Sequence, residues 1–224
     1  MKTKTLHPNP LSTRSEGTKN VSTVRSPFSP VLVWLLLQLI ALAISAGRIP
    51  FYAIKSFPQP AELIALPLML VVQIGASALL FPFLLRDFRT AGLVVVASWP
   101  FTVLAGFLTG ITTTRGIPYS AIYVTIWLAG LGLWNKALRS PRGQVMGVAI
   151  ALFGTFGGVL LNYLSREYGR EESSSILGTW GPIQQAIQLS RADEVQRIVW
   201  IIAGIYLVLS LAAWGFGRFK KTVA

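Results

Sequence analysis

Gln144 to Leu164 reads QVMGVAIALFGTFGGVLLNYL, twenty-one residues without a charge. At about 1.5 Å per residue, a helix of that length reaches across the ~30 Å hydrocarbon core of a bilayer. Its small residues are ordered. Gly143, Gly147, Ala151, Gly154 and Gly158 follow at steps of four, four, three and four, which stacks them on one helix face. Lipid tails are as apolar as leucine, so membrane helices associate through close packing and hydrogen bonds, and small residues permit the approach. The stripe therefore predicts a docking face for a neighbouring helix.

The rest of the chain has the same character. Of its 224 residues, 53% are hydrophobic and 12% charged, and the mean hydropathy is +0.59. A soluble domain carries roughly twice that charged fraction. Cysteine is absent, which excludes disulfides, iron–sulfur clusters, thiolate zinc sites and cysteine nucleophiles. The one histidine, His7, lies in a polar tail, so no histidine serves the apolar part as metal ligand, haem ligand or general base. No cofactor or metal is expected.

Reading outward gives six apolar spans, near 31–47, 61–85, 91–111, 119–134, 144–164 and 198–217. The first closes at Arg48-Ile49-Pro50, where proline stops or kinks a helix. Phe51, Tyr52, Lys55 and Phe57 then suit the lipid–water boundary. Pro60 and Glu62 open the second span, the acid near the positive end of the helix dipole. The turn Arg86-Asp87-Phe88-Arg89 is short enough to make spans two and three antiparallel neighbours. In span three Ser98, Thr102, Gly106 and Gly110 recur every four residues, a second packing face, with Pro100 marking a kink. On these two faces, spans three and five are expected at the centre of the bundle. Span four, with sixteen residues, is the shortest.

Residues 165–197 form one long loop, within which Ile183, Ala186 and Ile187 share a face of a short amphipathic helix expected on the membrane surface. Ser190 with Asp193 resembles a capping box that starts the sixth span early. Residues 1–30 are basic, Ser-rich and nearly free of acids. They read as a disordered cytoplasmic tail or, alternatively, as an organellar transit peptide.

The net charge of +12 does not point to nucleic acid, because the cations sit in short clusters between apolar runs. Counted by side, thirteen Lys and Arg flank one face of the six spans and seven the other, and five of the eight acids lie in the long loop. The positive-inside rule then puts both termini in the cytoplasm, in a plasma (inner) membrane or an organellar one, with 165–197 outside.

The spans hold no Asp, Glu, Lys or Arg away from their ends, which argues against proton relays and charge-coupled carriers. Their polar residues are amides and hydroxyls. Gln38, Gln73, Ser77 and Thr102 are the candidates for a solute cavity, although membrane amides more often tie helices together. Asn162 lies near the outer end of span five. Arg48 and Glu62 form a candidate pair at the outer ends of spans one and two, but snorkelling or a helix-dipole role accounts for them as well. Glu167, Glu171 and Glu172 have the chemistry of a divalent-cation site, but the interleaved arginines read as a solvated segment. No P-loop, Gly-x-Ser-x-Gly, HExxH or paired-Asp motif is present, and none of the patterns names a family. The expected object is an all-α polytopic membrane bundle in one domain. It is either a non-enzymatic permease-type subunit for a neutral or amphiphilic solute, energised by a partner, or a subunit that anchors an envelope complex. Both readings require the lipid bilayer and other membrane subunits.

The orientation is testable in a cysteine-free background. With Ser22, Ser140, Ser174 and Thr222 replaced singly by cysteine, a membrane-impermeant thiol reagent on intact cells is expected to label only position 174. Labelling at 140 with protection at 174 would show that span four does not cross.

Overall fold

A computed structural model describes residues 28–46, 65–108, 116–138, 140–168, 181–191 and 197–222. These form seven helices: α1 (Phe28–Ala46), α2 (Ala65–Leu84), α3 (Phe88–Leu108), α4 (Gly116–Ala137), α5 (Pro141–Tyr168), α6 (Pro182–Arg191) and α7 (Arg197–Thr222). No strand occurs among the described residues. The tail 1–27, the Arg48–Pro50 break, the aromatic segment after it, Pro60, Arg48 and Glu62, Gly110, Glu171, Glu172 and Asp193 lie outside the described residues, as do the side chains of Asn162 and Glu167.

α2, α3, α4, α5 and α7 are each long and apolar enough to cross a membrane, and α1 supplies a shorter apolar helix. The chain is thus an all-α membrane bundle. Span four is longer than its apolar run indicated, because Gly116, Ile117 and Pro118 already belong to its first turn, where proline costs no hydrogen bond. Phe88 and Arg89 likewise belong to α3, which leaves a turn of Leu85, Arg86 and Asp87.

The helices are apolar on every side, so hydrophobic periodicity does not separate inside from outside. Small and polar residues do. On α3 the buried positions are Thr90, Val94, Ser98, Thr102, Ala105 and Gly106, whereas Leu93, Val96, Trp99, Leu104 and Phe107 are exposed. On α1, Trp34, Gln38 and Ala41 are buried and Leu32, Leu36 and Leu39 are not. Pro100 continues α3 and removes the donor for the Val96 carbonyl on this outward face.

The centre differs from the expectation. α2 and α4, not α3 and α5, are the most enclosed spans: 56% and 50% of their apolar windows are buried, against 28% for each of the other two. α2 packs against α1, α3, α4, α5 and α6, and α4 packs most extensively on α7. Small-residue stripes mark where two backbones approach, and a peripheral helix needs only one such face. α6 is also placed differently. Its Ile183, Ala186 and Leu189 are buried against α2, α4 and α5, so its apolar face rests on protein rather than on lipid. Ser190 lies inside α6 and donates to the Ile187 carbonyl at 2.7 Å; Asp193, its partner in the expected capping box, lies outside the described residues, and α7 is described from Arg197.

The stripe on α5 is split by the packing. A Cβ on Gly147 would lie 2.6 Å from Leu138 Cδ1 and 3.2 Å from Phe81 Cζ, whereas one on Gly154 would meet nothing within 4 Å. Ala151 is buried, and the Gly158 backbone is close to Gly181 just before α6. Gly147, Ala151 and Gly158 therefore dock; Gly154 does not, and the docking face passes instead through buried Thr155. Gly147→Leu is expected to lower the melting temperature in detergent by the equivalent of about 1–3 kcal/mol, the usual cost of overpacking. Gly154→Leu should leave it unchanged. Equal losses in both would refute this division of the stripe.

Candidate functional site

Mid-membrane polar groups gather in two places. The first is a knot between α1, α2 and α3. Gln73 Nε2 donates to Gln38 Oε1 at 2.7 Å and lies 3.1 Å from Thr102 Oγ1 and 3.2 Å from the Ser98 carbonyl. Two protons face three acceptors, so the short bond to Gln38 is the tightest and the other two share. Thr102 sits 3.2 Å from Gln73 Oε1 and 2.9 Å from Ser98 O. Trp34 Nε1 donates to Ser98 Oγ at 3.1 Å, and Ser98 in turn donates to the Val94 carbonyl. Gln38, Gln73 and Thr102 are each 0% exposed. Gln38 Nε2 has no partner.

The structure thus brings together three of the four candidate cavity residues and joins them directly to one another. Ser77, one turn along α2, faces a different helix: it accepts from Trp127 Nε1 at 3.0 Å and donates to the Ile74 carbonyl.

The second place is a cleft of about 260 Å³. α4 forms its floor with Tyr123, Ile126, Trp127, Leu131 and Trp134; Ile150, Ala151 and Gly154 of α5 form one wall, and Ile202, Ala203 and Tyr206 of α7 the other. Pro182 and Gln185 of α6 close one end. Walls α5 and α7 have no substantial packing on each other, and Ile150 and Gly154 are exposed, so the cleft opens sideways between them. None of Gln38, Gln73, Ser77 and Thr102 lines it.

Each wall has a local cause. Gly130 leaves room for the Tyr206 ring, which a Cβ there would strike. That ring stacks on Trp127 at 4.9 Å between centroids, and its hydroxyl donates to the Trp127 carbonyl at 3.3 Å. Trp127 is held from behind by Ser77. Gly154 bears no side chain where a larger residue would fill the space. At the α6 end, Tyr123 Oη donates to Gln185 Oε1 at 2.7 Å, both buried. From Tyr123 to Trp134 the floor rises eleven residues, roughly 16 Å at about 1.5 Å each, or about half of a ~30 Å hydrocarbon core. The cleft is apolar along its length and polar at one end.

The sequence reading missed Tyr123, Trp127, Tyr206 and Gln185. A signal was present on α4, where Tyr123, Trp127, Leu131 and Trp134 recur at steps of four, four and three, a large-residue stripe with Gly130 on the same face. Gln185 carried none, because Gln184 and Gln188 stand on the same short helix and nothing in the sequence singles one of the three out. Among the described residues no group of His, Asp or Glu converges to hold a metal. Comparison of the chain with protein-family models, curated proteins and solved structures finds no match.

The knot predicts an asymmetric double-mutant cycle. Gln73→Leu strips Gln38 of its partner and leaves a whole amide buried, at a cost of about 1–3 kcal/mol. Gln38→Leu leaves Gln73 with Ser98 and Thr102 and removes an unpartnered donor, so it should cost less. The double variant should melt close to Gln38→Leu alone, so the coupling should match the Gln73→Leu cost, about 1–3 kcal/mol. Additive losses would show that the amides do not act as a pair.

Proposed function

We propose that the chain is a non-catalytic multi-pass membrane subunit that takes the apolar chain of a neutral or amphiphilic solute into the cleft between α4, α5 and α7. It acts as a permease-type subunit does, with energy supplied by a separate partner. The observation that supports this is the shape of the cleft: an apolar trough about one leaflet deep, open to the side and ending at the Tyr123–Gln185 pair. A hydrocarbon tail suits the trough, and an uncharged polar head suits an end that offers only a hydroxyl and an amide. The setting of this reading is the plasma membrane; the cation count favours both termini in the cytoplasm, with the α6 end on the outer side.

A second reading draws on the knot. Gln38, Gln73 and Thr102 are sealed against one another, which is how amides fasten helices in a static anchoring or assembly subunit of an envelope complex. Mild-detergent co-purification with mass spectrometry separates the two readings: a nucleotide-binding partner favours the permease, an envelope assembly the anchor.

The cleft itself is tested with a photoreactive diazirine single-chain amphiphile on the protein in nanodiscs. Adducts are expected to concentrate on peptides of α4 and α7 around Trp134 and Ile202. Gly154→Leu, which fills the cleft without a clash, should remove most of them at an unchanged melting temperature. Labelling spread evenly over outward faces such as Val96 and Phe107, and insensitive to Gly154→Leu, would refute the site.

A further inference from the structure

At the other end of α4 and α5 from α6 lies a second, polar cavity of about 470 Å³, lined by Arg86, Asp87, Phe88, Asn135, Lys136 and Gln144. We propose that it holds the phosphate of an anionic membrane lipid.

Two turns meet there, the one between α2 and α3 and the one between α4 and α5. Each brings one cation to the lining, Arg86 from the first and Lys136 from the end of α4. One carboxylate, Asp87, opposes them, so the lining keeps a net positive charge. Two helices begin and two end at this face, so their dipoles offset and the charge is that of the side chains. The frame is built. Asn135, 6% exposed, donates through Nδ2 to the Leu85 carbonyl at 3.1 Å, which ties the end of α4 to the end of α2. Gln144 Nε2 reaches Asn135 Oδ1 at 3.5 Å, bringing the first turn of α5 to the same point. The Lys136 ammonium lies over the Phe88 ring at 4.8 Å, so the cation is positioned rather than free to sweep solvent.

The occupant follows from charge and depth. A guanidinium presents paired N–H groups that match phosphate oxygens, and an ammonium adds a point charge. The cavity sits where α2 stops and α5 starts, the level at which a spanning helix leaves hydrocarbon and meets headgroups. Phe88, 80% exposed, belongs to the aromatic type found at that level. Basic pockets between membrane helices bind phospholipid headgroups on this principle. The site shares no lining residue with the amphiphile cleft, lies beyond its Trp134 end, away from the Tyr123–Gln185 pair, and carries charge where the cleft carries none.

The test uses the full chain in nanodiscs of phosphatidylcholine with or without phosphatidylglycerol. Lipid retained on release is counted by native mass spectrometry. Wild type is expected to retain one phosphatidylglycerol in preference to phosphatidylcholine. Arg86→Gln with Lys136→Gln should weaken that preference roughly tenfold or more. Arg142→Gln, an exposed cation on α5 outside the lining, should leave it intact. Arg86→Gln alone, at an exposed position, provides the same reading with a smaller effect should the double variant fail to fold. Equal retention of both lipids, or an equal loss in Arg142→Gln, overturns the site in favour of diffuse surface charge. In a separate arm, inorganic phosphate is added to phosphatidylglycerol nanodiscs; displacement of the retained lipid at low millimolar concentration overturns the lipid in favour of a free anion.

Discussion

In hydrocarbon, apolar side chains gain no hydrophobic free energy from meeting one another, so close packing and the few hydrogen bonds between helices carry the weight of this fold. Several of them meet on one element. α2 holds α1 and α3 through Gln73, α4 through Ser77, and the far end of α4 through the Leu85 carbonyl. Gln73 and Ser77 are one turn apart and face different neighbours, so a single helix fastens both halves of the bundle at nearly the same depth. Without them the six apolar helices would have many arrangements of similar energy. Close contacts refine the choice: a Cβ on Gly75 of α2 would lie 3.2 Å from Phe156 of α5, so the two helices meet at van der Waals distance only because the residue is glycine.

The two halves put the same chemistry to different ends. In α1–α3 the polar groups face inward, and Gln38, Gln73, Ser98 and Thr102 bond to one another or to their own helices and line neither the cleft nor the polar cavity. In α4–α7 the polar groups sit behind or at the end of an aromatic floor, and the space between the walls stays apolar. Trp127 belongs to both arrangements, since its indole N–H is fixed by α2 while its ring faces the cleft and stacks on Tyr206. The cleft floor is thus held in place although its walls have no substantial packing on each other.

How much of this was legible in the sequence depended on what kind of signal each feature leaves. Span positions were readable because length and lack of charge suffice, and α4 fell short because three residues at each end, Gly116 to Pro118 and Asn135 to Ala137, continue the helix beyond its apolar run. Gln38 and Gln73 were readable as a pair because a mid-membrane amide has few other options. The central helices were not readable. Gly147 and Gly154 look alike in sequence, yet one meets Leu138 and Phe81 and the other faces open space; a missing side chain permits contact without requiring it. α6 was recognised as amphipathic, but amphipathicity does not say whether the apolar face meets lipid or protein. Only the burial of Ile183, Ala186 and Leu189 decides that.

The attachment of α7 bears on how the chain is made. Only 17% of its apolar window is buried, and its main anchor is the Tyr206 ring in the space left by Gly130. Synthesis runs from α1 onward, so α1, α2 and α3 can close their knot while α4 still lacks its partner. During that interval Trp127 and the bare backbone at Gly130 face lipid or the insertion machinery. The knot half is therefore completed as it emerges, whereas the cleft half is completed only after α7 has been inserted and has moved sideways onto α4. A second wall that arrives after α1–α6, and packs on α4, makes the cleft half the later of the two to form.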